Sequence, residues 1–196
     1  YNEVPLKLDV FDFNAFERDP TAFYITCTDV ESGKPVYHEY CGRKDHGFDW
    51  IRASASLPVV SQIVEIDGLK LLDGGIADSI PVAYFERIGY TQNVVILTQP
   101  QGYRKEKNQL LPLIRVKYRH YPNLVKALEV RHLMYNAELD LIQEQEKRGD
   151  LFVIRPHSSL PVKRMEKDPA KLKTCYEMGR QAAETARERL LAFLKK

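Results

Sequence analysis

No stretch of the sequence approaches the roughly 18 consecutive apolar residues that a membrane-spanning helix needs. Cysteine is scarce: Cys27, Cys41 and Cys175 are the whole complement. Their odd number and the absence of any C-x-x-C pair exclude a disulfide scaffold and a zinc ribbon. They point instead to a reducing, intracellular setting, with a cytoplasmic location as the expectation. An excess of one charge sign is missing as well: 29 Lys and Arg against 27 Asp and Glu leave a net value of only +2, too small to argue for nucleic acid as a partner. Neither G-x-x-x-x-G-K-[ST] nor G-x-G-x-x-G occurs, which weighs against an α/β nucleotide binder. No secretory leader is visible, but the chain opens on Tyr1 and not on Met, so the native N-terminus is expected to have been removed or to lie upstream.

What is present is the composition of a globular domain. With 44% hydrophobic and 29% charged residues over 196 positions, the chain is long enough for one domain with a substantial core. Ala22 to Thr28 and Val36 to Tyr40 are rich in β-branched and aromatic residues and flank the turn sequence Glu31-Ser32-Gly33-Lys34-Pro35, which predicts a hairpin or strand-loop-strand. A short helix is expected over Trp50 to Ser56, stopped before Pro58. Asp67-Gly68 between Ile63-Val64-Glu65-Ile66 and Leu69-Lys70-Leu71-Leu72 is the signature of a two-residue type I′ hairpin.

Farther along, Ile80 to Ile88 reads as a helix, Val94 to Leu97 as a strand buried on both faces, and Pro100 to Tyr118 as a basic loop. A helix over Leu124 to Lys147 is predicted from Val130, Met134, Ala137 and Leu141, and a short strand over Leu151 to Ile154. A last helix carries the stripe Leu172, Tyr176, Gly179, Ala183, Ala186, Leu190 and Leu194. Strands alternating with long helices predict an α/β domain with a mostly parallel central sheet.

The hairpin puts Asp73 just past a strand end, the side of α/β domains where ligands bind. Gly74 and Gly75 behind it are able to take positive φ, to turn sharply and to let backbones approach closely. The arrangement is like an elbow that displays a nucleophile, with an acid in place of serine. A plain Asp-Gly-Gly turn is the alternative.

Two other clusters carry chemistry. His38-Glu39-Tyr40-Cys41-Gly42, with Asp45 and His46, is metal-like in composition, but an H-E-x-x-H zinc site would need histidine where Gly42 stands. A solvated loop is the default there, and His120, His132 and His157 are scattered singly. Arg104, Lys105, Lys107, Arg115, Lys117 and Arg119, interleaved with Tyr103, Tyr118 and Tyr121, suit either an exposed loop or peripheral contact with an anionic membrane.

The order of the elements carries a resemblance. Thr26-Cys27-Thr28-Asp29 with Gly33-Lys34-Pro35-Val36, then Arg52-Ala53-Ser54-Ala55-Ser56-Leu57-Pro58, the hairpin, and Asp73-Gly74-Gly75 followed by Ser79-Ile80-Pro81 resemble the patatin-like phospholipase family. Val94 to Thr98 with Gly102-Tyr103-Arg104-Lys105, and Met165 to Pro169 with Leu172, Tyr176 and Gly179, extend the resemblance, strongest to bacterial members, over nearly the whole chain. Ser56 and Ser79 stand where the family often has Ala and Asn. The larger departure is that no G-x-S-x-G is present, and the family carries its nucleophilic serine on that motif nearer the N-terminus, with a Gly-rich oxyanion loop.

The resemblance therefore implies a three-layer patatin-like fold lacking its N-terminal nucleophile-bearing part, with residues 1–196 as the C-terminal part of a single catalytic domain. It implies a lipid acyl hydrolase with a Ser-Asp dyad, Asp73 as the base, Gly74 and Gly75 as the turn behind it, and acyl-ester lipids as substrates. It implies no metal or organic cofactor, and it makes the missing N-terminal part of the same protein the structural partner. A noncatalytic fragment or binding module derived from the same fold is the alternative.

Overall fold

The computed structural model describes residues 3–163 and 165–195. They fall into two compact units: Tyr1–Pro81 with Glu106–Asn136, and Val82–Lys105 with Ala137–Lys196.

In the first unit, helix α1 (Phe13–Arg18) precedes strands β1 (Tyr24–Asp29) and β2 (Pro35–Glu39), helix α2 (Asp49–Ser54), and strands β3 (Val64–Ile66) and β4 (Leu69–Asp73). The four strands form one sheet in the order β2-β1-β4-β3. Every pairing in it is antiparallel, so the expected mostly parallel sheet is not what these strands build. The linkers explain part of this. Tight turns join antiparallel neighbours, whereas a parallel pair needs a crossover of a dozen or more residues. Between β1 and β2 the Asp29 carboxylate accepts from Glu31 N and Ser32 N at 3.3 and 3.0 Å, and Gly33 takes φ 69°. Between β3 and β4, Asp67 and Gly68 both have positive φ, 50° and 79°, as a type I′ turn requires.

Side chains alternate across this sheet, and each face has its own core. Ile25, Cys27 and Leu71 pack with Trp50 and Ala53 of α2 and with Val64 and Ile66. On the other face, Leu72 packs with Val30, Ile76, and residues of two further helices, α4 (Leu111–Lys117) and α5 (Pro122–Arg148). Helix α4 lies where a basic loop was expected. Leu111, Ile114 and Tyr118, spaced three and four apart, are buried, and that spacing outweighs the surrounding charges. In α5 the buried apolar positions are Leu124, Leu128 and Ile142, while Val130, Met134, Ala137 and Leu141, whose spacing predicted this helix, are exposed or half-buried.

The second unit holds helix α3 (Val82–Arg87), strands β5 (Asn93–Ile96) and β6 (Leu151–Ile154), the last part of α5, and helix α6 (Pro169–Phe193). β5 and β6 pair in parallel, Asn93 opposite Leu151 through Ile96 opposite Ile154. The strand is not buried on both faces as expected: Val95 is buried, but Val94 and Ile96 are 39% and 74% exposed. Phe193 of α6 is buried and packs on Phe152 of β6, ring centroids 5.8 Å apart. The buried positions of α6 are Ala182, Ala186 and Phe193, while Leu172, Tyr176 and Leu194 of the predicted stripe are exposed. No helix among the described residues is long and apolar enough to cross a membrane.

Candidate active site

The site is built from the end of β4. Leu71 and Leu72 are fully buried on opposite faces, and the strand ends at the half-buried Asp73. Two hydrogen bonds to its main chain and one to its side chain hold this residue. Asp73 N donates to Ser56 O at 2.9 Å, and Thr28 Oγ1 donates to Asp73 O at 2.9 Å. Asp73 then caps a single 3₁₀ turn, Gly74–Ile76, in which its Oδ1 accepts from Gly75 N at 2.8 Å. No hydrogen bond or ion pair to the second oxygen, Oδ2, is made among the described residues.

The glycines serve a different purpose from positive φ, which neither adopts. A Cβ on Gly74 would lie 2.2 Å from Thr26 O, so the turn sits directly against the backbone of β1 and admits no side chain. A Cβ on Gly75 would lie 3.0 Å from Asp73 Oδ1 and 3.3 Å from Arg131 Nη2. The Gly75 carbonyl accepts from Ser79 Oγ at 2.8 Å and from Arg131 Nε. Beside this turn, Tyr37 OH donates to the Asp78 carboxylate.

Asp73 borders a cleft of about 470 Å³ whose walls include Tyr24, Thr26, Ile51, Ser54 and Asp78. Beneath it, Cys27 is the register partner of Asp73 and is fully buried. Burial pushes its thiol up from 9.0 to about 12, and the negative charge of Asp73 adds to the shift. Cys27 is therefore an uncharged packing residue, not a nucleophile.

The serines near Asp73 are engaged elsewhere. Ser54 Oγ donates to Thr26 O at 2.8 Å, Ser56 Oγ to Arg52 O at 2.7 Å, and Ser79 Oγ to Gly75 O. A hydroxyl has one proton to give, so none of the three directs it at the Asp73 carboxylate.

The remaining sequence candidates separate. His38 pairs with Asp45 and stacks on Trp50, rings 3.8 Å apart and 5° from parallel, while His46 pairs with Asp67 at 3.1 Å. Among the described residues no group of three or more His, Cys, Asp or Glu side chains could hold a metal. The basic stretch is divided between the two units, with Arg115 paired to Glu129 at 2.6 Å and Lys117 Nζ donating to Val59 O at 2.7 Å. Sequence reasoning brought Asp73, Gly74 and Gly75 together but missed Arg131. No sequence signal marked it, because only the structure shows that the face of α5 carrying Leu124 and Leu128 is the buried one.

Comparison with known proteins covers both ends of the chain. Residues 121–195 match a domain of unknown function (DUF6363). An uncharacterized protein of Escherichia coli (strain K12), YjjU, is 33% identical over 104 residues, covering 50% of this chain. That match takes in only 27% of the relative's own length. The model of the patatin-like phospholipase family matches residues 5–86, the span that contains β1 to β4, Asp73 and both glycines.

Proposed function

We propose that the complete protein is a lipid acyl hydrolase in which Asp73 is the general base for a serine that is not among these 196 residues. The observation that carries this reading is the Asp73 carboxylate itself. One oxygen is fixed by the Gly75 N–H, and the other has no partner among the described residues, at the edge of a cleft of about 470 Å³. A fixed carboxylate with one oxygen in reserve is what proton transfer from a hydroxyl requires. Two facts support a serine from elsewhere in the protein. The local serine hydroxyls are given to main-chain carbonyls, and no G-x-S-x-G occurs in the chain.

In this mechanism the serine oxygen attacks an ester carbonyl while its proton passes to Asp73. The proton returns to the departing alcohol as the C–O bond breaks. Asp73 then takes a proton from the water that attacks the acyl-enzyme, and returns it to the serine oxygen as the acyl–oxygen bond breaks and the acid is released. A free aspartate, with a pKa of about 3.9, is a weak base toward an alcohol. Direct contact with the serine and preorganised N–H donors for the oxyanion must therefore supply the driving force, and those donors would come with the serine. Substrates of this reading are acyl esters of lipids, and it calls for no metal or organic cofactor.

The same hydroxyl directions favour a second reading, a noncatalytic module of the same fold, if no serine joins Asp73. Sequence upstream of Tyr1 in the complete protein discriminates: G-x-S-x-G supports the enzyme, and its absence removes it. Hydrolysis of p-nitrophenyl esters by the complete protein, with no turnover by the 196-residue chain alone, is the expected biochemical result. Turnover by the short chain would show that it holds its own nucleophile.

A further inference from the structure

We propose that Arg131 is a positioning residue for the Asp73 carboxylate, so that the segment matching a domain of unknown function contributes to the patatin-like site. The inference rests on Asp73 acting as the base. Leu124, Leu128 and Arg131 are spaced four and three apart and share one face of α5. Leu124 and Leu128 are buried in the core that contains Leu72 and Ile76, and these two flank the Asp73-Gly74-Gly75 turn in sequence. The next position on that face meets the turn: Arg131 Nε donates to the Gly75 carbonyl, which also accepts from Ser79 Oγ.

The link to the carboxylate runs through one residue. Gly75 has no Cβ to restrict rotation about its own φ and ψ. Its N–H fixes Asp73 Oδ1 at 2.8 Å, and its carbonyl is held by two donors, one of them a guanidinium. A charge-assisted bond is roughly twice as strong as a neutral one, so Arg131 is the stronger of the two restraints. Guanidinium and carboxylate both approach Gly75 closely: the point where its Cβ would be is 3.3 Å from Arg131 Nη2 and 3.0 Å from Asp73 Oδ1. Removing Arg131 releases the Gly75 peptide, and the carboxylate with it, from the geometry in which it can receive a proton. Arg131 belongs to the same compact unit as the turn, so the restraint acts within one packed body.

The test uses the complete protein with p-nitrophenyl ester as substrate and compares Arg131→Ala, Arg131→Lys and Ser79→Ala with wild type. Misplacement of a catalytic group by about 1 Å costs on the order of 100-fold, so Arg131→Ala should lower kcat by about 10- to 100-fold with KM little changed. Ser79→Ala should lower it less. Added ethylguanidinium should restore kcat to Arg131→Ala and not to Ser79→Ala, and Arg131→Lys should recover part of the loss, because each returns a cationic donor to the carbonyl. Wild-type kcat in Arg131→Ala, or a loss that neither ethylguanidinium nor Lys relieves, overturns the proposal. If Arg131→Ala does not fold, Arg131→Lys and Arg131→Gln carry the same comparison, with Lys expected above Gln and equal kcat values overturning it. An inactive Asp73→Asn beside a fully active Arg131→Ala defeats this inference alone; an active Asp73→Asn defeats the reading of Asp73 and this inference together.

Discussion

Replacing Gly74 with alanine adds one methyl group where the fold has no room. The new carbon would lie 2.2 Å from Thr26 O, 2.5 Å from Thr26 C and 2.9 Å from Thr26 Cγ2, whereas contacts of this kind do not fall below 3.0 Å. Thr26 cannot simply move aside, because it is paired to Tyr37 of β2 and its neighbour Cys27 is paired to Asp73 of β4. The turn must therefore lift away from β1, straining the bonds from Asp73 N to Ser56 O and from Thr28 Oγ1 to Asp73 O. Overpacking of this kind costs about 1–3 kcal/mol or more. For a chain of this size each kcal/mol lowers Tm by about 2–4 °C. Thermal unfolding of Gly74→Ala should thus show a drop of several degrees, and ester hydrolysis by the complete protein should fall further than the lost stability explains. Gly179→Ala is the control. Its Cβ meets nothing within 4 Å, and alanine at an exposed helical position is favoured by about 1 kcal/mol, so its Tm should hold or rise. A Gly74→Ala protein with unchanged Tm and activity would refute the close approach of turn and strand.

Other outcomes follow from the same packing. Cys27 should resist alkylation at pH 8 in the folded protein while exposed Cys41 reacts, checked by mass spectrometry before and after denaturation. Because the Cys27 pKa is raised on folding, from 9.0 to about 12, its contribution to stability is complete below pH 9 and is lost as pH rises toward 12. On the order of 4 kcal/mol is at stake across that window, so the denaturation midpoint of wild type should fall more steeply there than that of Cys27→Ala. Leu72→Ala should cost about 2–5 kcal/mol, since the residue is fully buried between Val30, Ile76 and the helices over them. Ile96→Ala, at a position 74% exposed, should stay within about 0.5 kcal/mol by chemical denaturation.

The parts of this fold that were legible in the sequence are those set by local chemistry. Asp67-Gly68 names its turn type, because only residues tolerant of positive φ close a two-residue hairpin, and that turn alone puts Asp73 at a strand end. Both long helices were legible from the helical spacing of their apolar residues. Which face each one buries was not: α5 is held at Leu124, Leu128 and Ile142, so the apolar residues in its middle misled the stripe. Sheet direction was hidden too. An apolar run such as Val94 to Leu97 suggests a strand covered on both sides, yet strand pairing is decided by connections and partners far away in the chain. Arg131 was invisible for the same reason. Its hydrogen bond to Gly75 spans 56 residues, and nothing near either residue announces the other.

The central claim is that Asp73 takes the proton of an attacking serine, and the most direct measurement is the rate of p-nitrophenyl ester hydrolysis by the complete protein carrying Asp73→Asn. Asparagine keeps the size of the side chain and an oxygen to accept from Gly75 N, so the fold and its Tm should be preserved. It cannot accept a proton, and loss of a general base lowers rates by about 10²–10⁴-fold. A fall of that size in kcat, in a protein that melts like wild type, is the predicted result. Activity within a few-fold of wild type would contradict the account and remove Asp73 from the chemistry.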